Sequence, residues 1–85
     1  MQYIYVLQSK PSGTIYVGMT DDVKRRVAEH NGGLVDATKR HAPLRLVYYE
    51  AYLDRADAVD RERKLKHHGS VIGHLKKRLK HSLAT

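Results

Sequence analysis

The chain predicts an α+β fold: one small three-stranded sheet flanked by helices, in the order β-β-α-β-α-α. Two runs of bulky β-formers, Tyr3 to Gln8 and Thr14 to Met19, face each other across the turn residues Lys10-Pro11-Ser12-Gly13. A third such run, Leu44 to Leu53, carries Tyr48, Tyr49 and Tyr52 and stands between helical stretches. Strands and helices that do not strictly alternate favour a small sheet with helices packed on it over a doubly wound parallel sheet.

Each element has a local reason. Tyr, Ile and Val fit a pleated, half-buried surface, so Tyr3-Ile4-Tyr5-Val6-Leu7 and Tyr16-Val17-Gly18-Met19 read as a hairpin. Thr20 or Asp21 is placed to cap a first helix over Asp22 to His30, and Asn31-Gly32-Gly33 stops it. Leu34 to Pro43 reads as a loop or a single helical turn that exposes Lys39, Arg40 and His41. After the third strand, Asp54 caps a second helix through about His67, which Gly69 ends. Ser70 caps a third, running to about Leu83, whose stripe Ile72, Leu75, Leu79 and Leu83 is apolar and whose Lys76, Lys77 and Lys80 lie off it.

Eighty-five residues make a single domain, 1–85. A core of that size buries a little over ~60% of the unfolded surface. With no cysteine, neither a disulfide nor a thiolate zinc site holds it together, so the fold rests on packing. No apolar run approaches the ~18 residues of a membrane span. The residues after Met1 lack the basic leader of a signal peptide. A cytoplasmic protein is the expectation.

The net charge is +7 and the pI about 9.9. The excess is uneven: after Glu62 no acid follows, while seven Lys/Arg and four His do. A field of one sign attracts polyanions and speeds their capture, so nucleic acid is the expected partner. An anionic membrane surface and a merely solvated basic face are the competing explanations.

Two helices carry polar residues on stripes that should be apolar. In the first, Val23 and Val27 mark the buried face, and Arg26 and His30 fall on it. In the second, Ala58, Val59 and Leu65 mark the inner face, with Glu62 among them. A buried charge costs several kcal/mol (roughly) unless it is paired or binds a metal. Arg26 and Glu62 therefore either form a mutual salt bridge at the core edge or line a shared cleft with Tyr5 and Tyr16. A histidine metal site is disfavoured, because no two histidines stand at the i, i+4 spacing that puts two imidazoles on one helix face. There is no Gly-rich phosphate loop.

Together these residues resemble the GIY-YIG nuclease superfamily. The likeness runs from Tyr3 to about residue 68, leaving a basic amphipathic helix over 70–83, and is nearest to the small stand-alone bacterial members. Tyr5 stands for the tyrosine ending the first motif, and Tyr16 with Gly18 for the second, while Tyr3 replaces the family's Gly and Val17 its Ile. Ten residues separate Tyr16 from Arg26, and His30-Asn31 follow one helical turn on. The resemblance implies a divalent-metal-dependent endonuclease that hydrolyses phosphodiester bonds in DNA, in structure-dependent repair or processing. Its catalytic set is Tyr5, Tyr16, Arg26, His30 and Glu62. Glu62 would be the single protein ligand of Mg²⁺ or Mn²⁺, Arg26 would hold the scissile phosphate, and Tyr5, Tyr16 or His30 would orient or deprotonate the water. Arg25, Lys39, Arg40 and Lys66 would touch nucleic acid, DNA in preference to RNA, with Gly18 and Asn31 as structural positions. A module that binds nucleic acid on the same fold with weak or no catalysis is the alternative.

Overall fold

The computed structural model describes residues 1–85. Its sheet is antiparallel, with β1 (Gln2–Ser9) in the middle, β2 (Ile15–Thr20) on one side and β3 (Leu44–Tyr52) on the other. Helices cover both faces of β1, so Ile4, Tyr5, Val6 and Leu7 are four consecutive buried residues rather than an alternating set. Ile4 and Val6 face a core built with Ala58 and Leu65 of α2 (Arg55–His67) and Leu75 of α3 (Gly69–Arg78). Tyr5 and Leu7 face the other way, into a smaller cluster with Leu44, Tyr16 and Val27 of α1 (Val23–Asn31). The two layers meet at the outer edge of β2, where Arg26 of α1 and Arg55 of α2 border one cleft beside Met19 and Thr20.

The predicted order is present, extended by a short α4 (Lys80–Ala84). The third helix breaks at Leu79, whose N–H is shared between the carbonyls of Leu75 and Lys76 while its side chain stays buried. Two caps differ from expectation. Asp22, not Thr20 or Asp21, caps α1: its carboxylate accepts from Arg25 N at 3.0 Å, and the Thr20 hydroxyl instead accepts from Asp22 N at 3.1 Å, shaping the turn before the helix. Ser70 does not cap α3; the extended residue His68 links α2 to α3, and its carbonyl takes the first helical bonds, from Val71 and Ile72. Asp54 caps α2 by accepting from Ala56 N at 2.7 Å.

Packing also redistributes the expected inner faces. Val59 is exposed, because Ala58 and Leu65 set a stripe on which residues 61 and 62, not 59, fall. The three tyrosines of β3 split across the sheet. Tyr48 and Tyr52 join the face of Ile4, whereas Tyr49 lies edge-on to Tyr3, ring centroids 6.0 Å apart. Residues 34–43 form a turn over Val35–Lys39 and a cis Ala42–Pro43 bond, with Lys39 and Arg40 exposed and His41 half-buried.

Candidate active site

Three of the expected residues are joined by direct hydrogen bonds. Tyr5 comes from the middle strand and His30 from the last turn of α1, and their side chains meet with Oη and Nε2 2.9 Å apart. Tyr5 is 3% exposed and His30 4%. Arg26, one turn earlier on α1, brings Nε to 3.3 Å from the same phenol oxygen. On the far side of the imidazole, Nδ1 lies 2.7 Å from Oγ1 of Thr38, whose own hydroxyl is 3.5 Å from the Val35 carbonyl. Proton assignment follows from the partners. Thr38 donates to Val35, so it accepts from His30 Nδ1–H. Nε2 then accepts the Tyr5 proton, and the Tyr5 oxygen accepts from Arg26. Every polar atom in this chain of bonds is satisfied, and the imidazole is neutral. Burial, reinforced by the nearby Arg26 charge, pushes the His30 pKa below its usual value.

Arg26 is not buried as its position on the helix stripe suggested. Its side chain is 36% exposed at the mouth of a polar cleft with Thr20, Asp21, Glu29 and Arg55. Its Nη1 donates to Glu29 Oε1 at 3.2 Å, and the bonds to Tyr5 and Glu29 hold its pKa above the ordinary guanidinium value. The outer nitrogen, Nη2, has no partner within the chain.

Gly18 and Asn31 acquire structural reasons. Gly18 faces Tyr5 across the hairpin, and any Cβ there would enter the Tyr5 ring and hydroxyl. The phenol can therefore lie flat against the backbone and reach α1 only over a glycine. Asn31 clamps the start of β3: Nδ2 donates to the Leu44 carbonyl at 2.9 Å, and Oδ1 accepts from Leu44 N at 2.7 Å.

Tyr16 belongs to the same apolar cluster as Tyr5, but its hydroxyl makes no hydrogen bond, and its half-buried ring tilts against His41 at 5.7 Å. It lines a second groove together with Lys66 of α2. Glu62 does not pair with Arg26; its ion-pair partner is Lys66, one turn away, with Nζ 3.1 Å from Oε2. The carboxylate side chain is 23% exposed. It comes from α2, which covers the opposite face of the sheet from α1, and it makes no hydrogen bond to Tyr5, Tyr16, Arg26 or His30. Arg55, Glu62 and Lys66 nevertheless occupy one stripe of α2, at i, i+7 and i+11, and the two flanking residues line the Arg26 and Tyr16 grooves respectively. Of the other basic residues, Arg25 pairs with Asp21 at 2.8 Å and Lys39 with Asp36 at 3.5 Å, while Arg40 makes no ion pair.

No group of three or more His, Asp or Glu side chains is arranged as a metal cage. Glu62 still fits a hard divalent cation, since it offers a partly exposed carboxylate whose Oε1 makes no hydrogen bond or ion pair. Mg²⁺ keeps several waters and takes one or two carboxylates plus substrate phosphate, so a single carboxylate is a sufficient protein contribution.

Sequence reasoning missed Thr38, Glu29 and the environment of Glu50. Glu29 was legible, standing three residues after Arg26 on the same helix. Glu50 was legible too, because strand alternation puts it on one face with Tyr48 and Tyr52. Its carboxylate accepts from both phenols at 2.6 Å and from Arg61 Nε and Nη2 at 2.9 Å each. Thr38 gave no signal, since it lies in an irregular segment whose path only the tertiary structure sets.

The sequence matches the model of the GIY-YIG catalytic domain over residues 1–71. It is 46% identical over 66 residues to a UPF0213 protein of Lacticaseibacillus paracasei, covering 76% of this chain and 73% of that one. A UPF0213 protein of Halobacterium salinarum is 39% identical over 67 residues, 78% of this chain and 86% of its own. The solution NMR structure of a UPF0213 protein from Bacillus halodurans superposes with a TM-score of 0.58 at 31% identity, covering 100% of this chain and 95% of that one. With its domain match over most of its length and its fold shared with a solved relative, the chain belongs to the GIY-YIG nuclease family.

Proposed function

We propose that the protein is a divalent-metal-dependent endonuclease that hydrolyses phosphodiester bonds in DNA, selecting its substrate by structure, in a cytoplasmic repair or processing role. The observation that carries this reading is the fixed guanidinium of Arg26. The Tyr5 hydroxyl, backed by His30, holds its Nε and Glu29 holds its Nη1, while Nη2 has no partner within the chain and the residue lines the cleft. Such a group binds a phosphate oxygen without first having to be ordered.

The remaining roles follow from chemistry and placement. Arg26 grips the scissile phosphate. Tyr16, the phenol with a free hydroxyl, orients the attacking water, whereas Tyr5 and His30, enclosed and fully bonded, position Arg26 from behind. Glu62 holds the cation. Bound Mg²⁺ or Mn²⁺ would polarise a phosphate oxygen and stabilise the leaving oxygen. Arg25, Lys39, Arg40 and Lys66 supply phosphate contacts, which carry no sequence information and so suit recognition by shape.

The test compares wild type with Glu62→Gln and Arg26→Ala on single-stranded, duplex, flapped and branched DNA and on RNA, with and without Mg²⁺ or Mn²⁺. Either substitution lowers cleavage by ~10²–10³-fold, in line with the loss of one transition-state donor. Cleavage that persists in both variants or in chelator overturns the reading. One observation favours a binding module instead: Lys66 already neutralises Glu62. That alternative predicts tight, salt-dependent binding, no cleavage by wild type, and indifference to Glu62→Gln.

A further inference from the structure

The Tyr16 groove continues beyond the residues matched to the catalytic domain. It has a volume of about 740 Å³ and runs between the hairpin end, at Gly13 and Tyr16, and the helical layer, where Lys66, Ile72, Lys76 and Leu83 form the wall. Its lining holds no acid and two lysines, of which Lys66 is paired with Glu62 and Lys76 is free. The Arg26 cleft, by contrast, includes Asp21 and Glu29. Lys76 is exposed and makes no ion pair, and Lys77, Arg78 and Lys80 beside it are likewise exposed and free of ion pairs. No acidic residue follows Glu62 to offset them.

We infer that this groove is a phosphate-backbone track: α3 holds the nucleic-acid strand on one side of the scissile phosphate, with Lys76 as its principal contact. The inference rests on the nuclease reading for the position of Tyr16 and extends it to a helix that runs past the matched domain. Charge complementarity selects a polyanion. Shape selects an extended strand over a membrane surface. The apolar side chains Ile72 and Leu83 are set inside a concave groove, and Leu75 and Leu79 are buried in the core, so α3 has no apolar face to lay on lipid. The aliphatic stem of Lys76 can lie along that apolar wall while its ammonium meets phosphate.

Binding, measured without metal, separates this inference from catalysis. Fluorescence anisotropy of labelled duplex and single-stranded DNA is followed over a salt series in chelator, for wild type, Lys76→Gln and Lys24→Gln. Lys24 is an exposed, unpaired lysine of α1 away from the groove. Loss of one phosphate contact in Lys76→Gln reduces the magnitude of the log K against log salt slope by about 0.9 on duplex or about 0.7 on a single strand. Lys24→Gln leaves it unchanged. Equal slopes for wild type and Lys76→Gln overturn the inference, as does an equal decrease in both variants. So does binding to phosphatidylserine vesicles with none to DNA. If the slope changes but wild type never cleaves, the track stands and the nuclease reading fails. If wild type cleaves and the slope is indifferent to Lys76, the nuclease reading stands and the track fails.

Discussion

The Tyr5 hydroxyl and His30 Nε2 are 2.9 Å apart in the least accessible part of the site, and the imidazole is the acceptor. A protonated His30 would turn that bond around and leave the phenol proton facing Arg26, with no acceptor. Burial, reinforced by the nearby Arg26 charge, also disfavours the charged imidazole, so the folded state binds this proton less readily than the unfolded chain and the His30 pKa falls below its usual value. A lowered folded-state pKa makes stability fully present above about pH 6.5 and lost as pH drops through the folded value. Urea midpoints at about pH 7.5 and about pH 5.5 will differ in wild type, and the difference will shrink in His30→Gln.

Thr38 is the far anchor of the same imidazole. Thr38→Val keeps the shape and leaves His30 Nδ1–H without an acceptor, at a cost of about 1–3 kcal/mol. Chemical denaturation will show that loss. NMR of the His30 ring will show a changed tautomer balance, which a purely packing effect would leave alone.

The two phenols separate by substitution. Tyr5→Phe removes the partner of both His30 and Arg26, and lowers stability and cleavage together. Tyr16→Phe removes a hydroxyl that bonds nothing in the protein, and lowers cleavage with a denaturation midpoint unchanged within about 0.5 kcal/mol. Equal stability losses in the two variants would contradict the separate roles assigned to them.

Gly18→Ala forces the Tyr5 ring out of its seat, at about 1–3 kcal/mol or more. Combined with Tyr5→Ala, which removes the obstacle, the alanine at 18 will cost much less. A double-mutant cycle reads this as a coupling energy between strand neighbours.

Glu50 stabilises the sheet face away from Tyr5. Burial raises its pKa, but hydrogen bonds from Arg61, Tyr48 and Tyr52 more than offset this and hold it at about 2. Burial, reinforced by the hydrogen bond to the Glu50 carboxylate, pushes Tyr52 up to about 12. The Glu50 carboxylate side chain is only 14% exposed, so its shift from 4.5 corresponds to ~3 kcal/mol, present above about pH 4.5 and lost as pH falls toward 2. Glu50→Gln leaves Arg61 unpaired at a cost of roughly 3–5 kcal/mol. Acid titration of the unfolding free energy will show a flatter profile between about pH 4.5 and 2 in that variant.

The sheet, the order of its elements and the cap at Asp54 were legible because each is encoded locally, in alternation, turn residues and helix starts. The Arg26 and His30 anomalies were legible as breaks in a helical stripe, although only His30 is truly buried. What could not be read depended on which face the third dimension covers. Val59 matched the apolar pattern yet points outward, and Thr38 became part of the site because a loop folds back onto α1. The Arg26–Glu62 salt bridge fails for the same reason: the two helices lie on opposite faces of the sheet, and each charge finds a partner on its own helix.

The Asn31 clamp has an architectural consequence. It fastens one end of residues 32–43 to Leu44, while the Ser9 hydroxyl holds the His41 carbonyl at 2.7 Å and Lys10 N holds that of Pro43 at 3.0 Å. A segment tied down at its base tolerates extra length at its exposed tip, because each doubling of a loop adds only ~0.6 kcal/mol of closure entropy. Extra length at the exposed Arg40 is thus compatible with a closed base only while the buried Thr38, two residues earlier, keeps its place against His30.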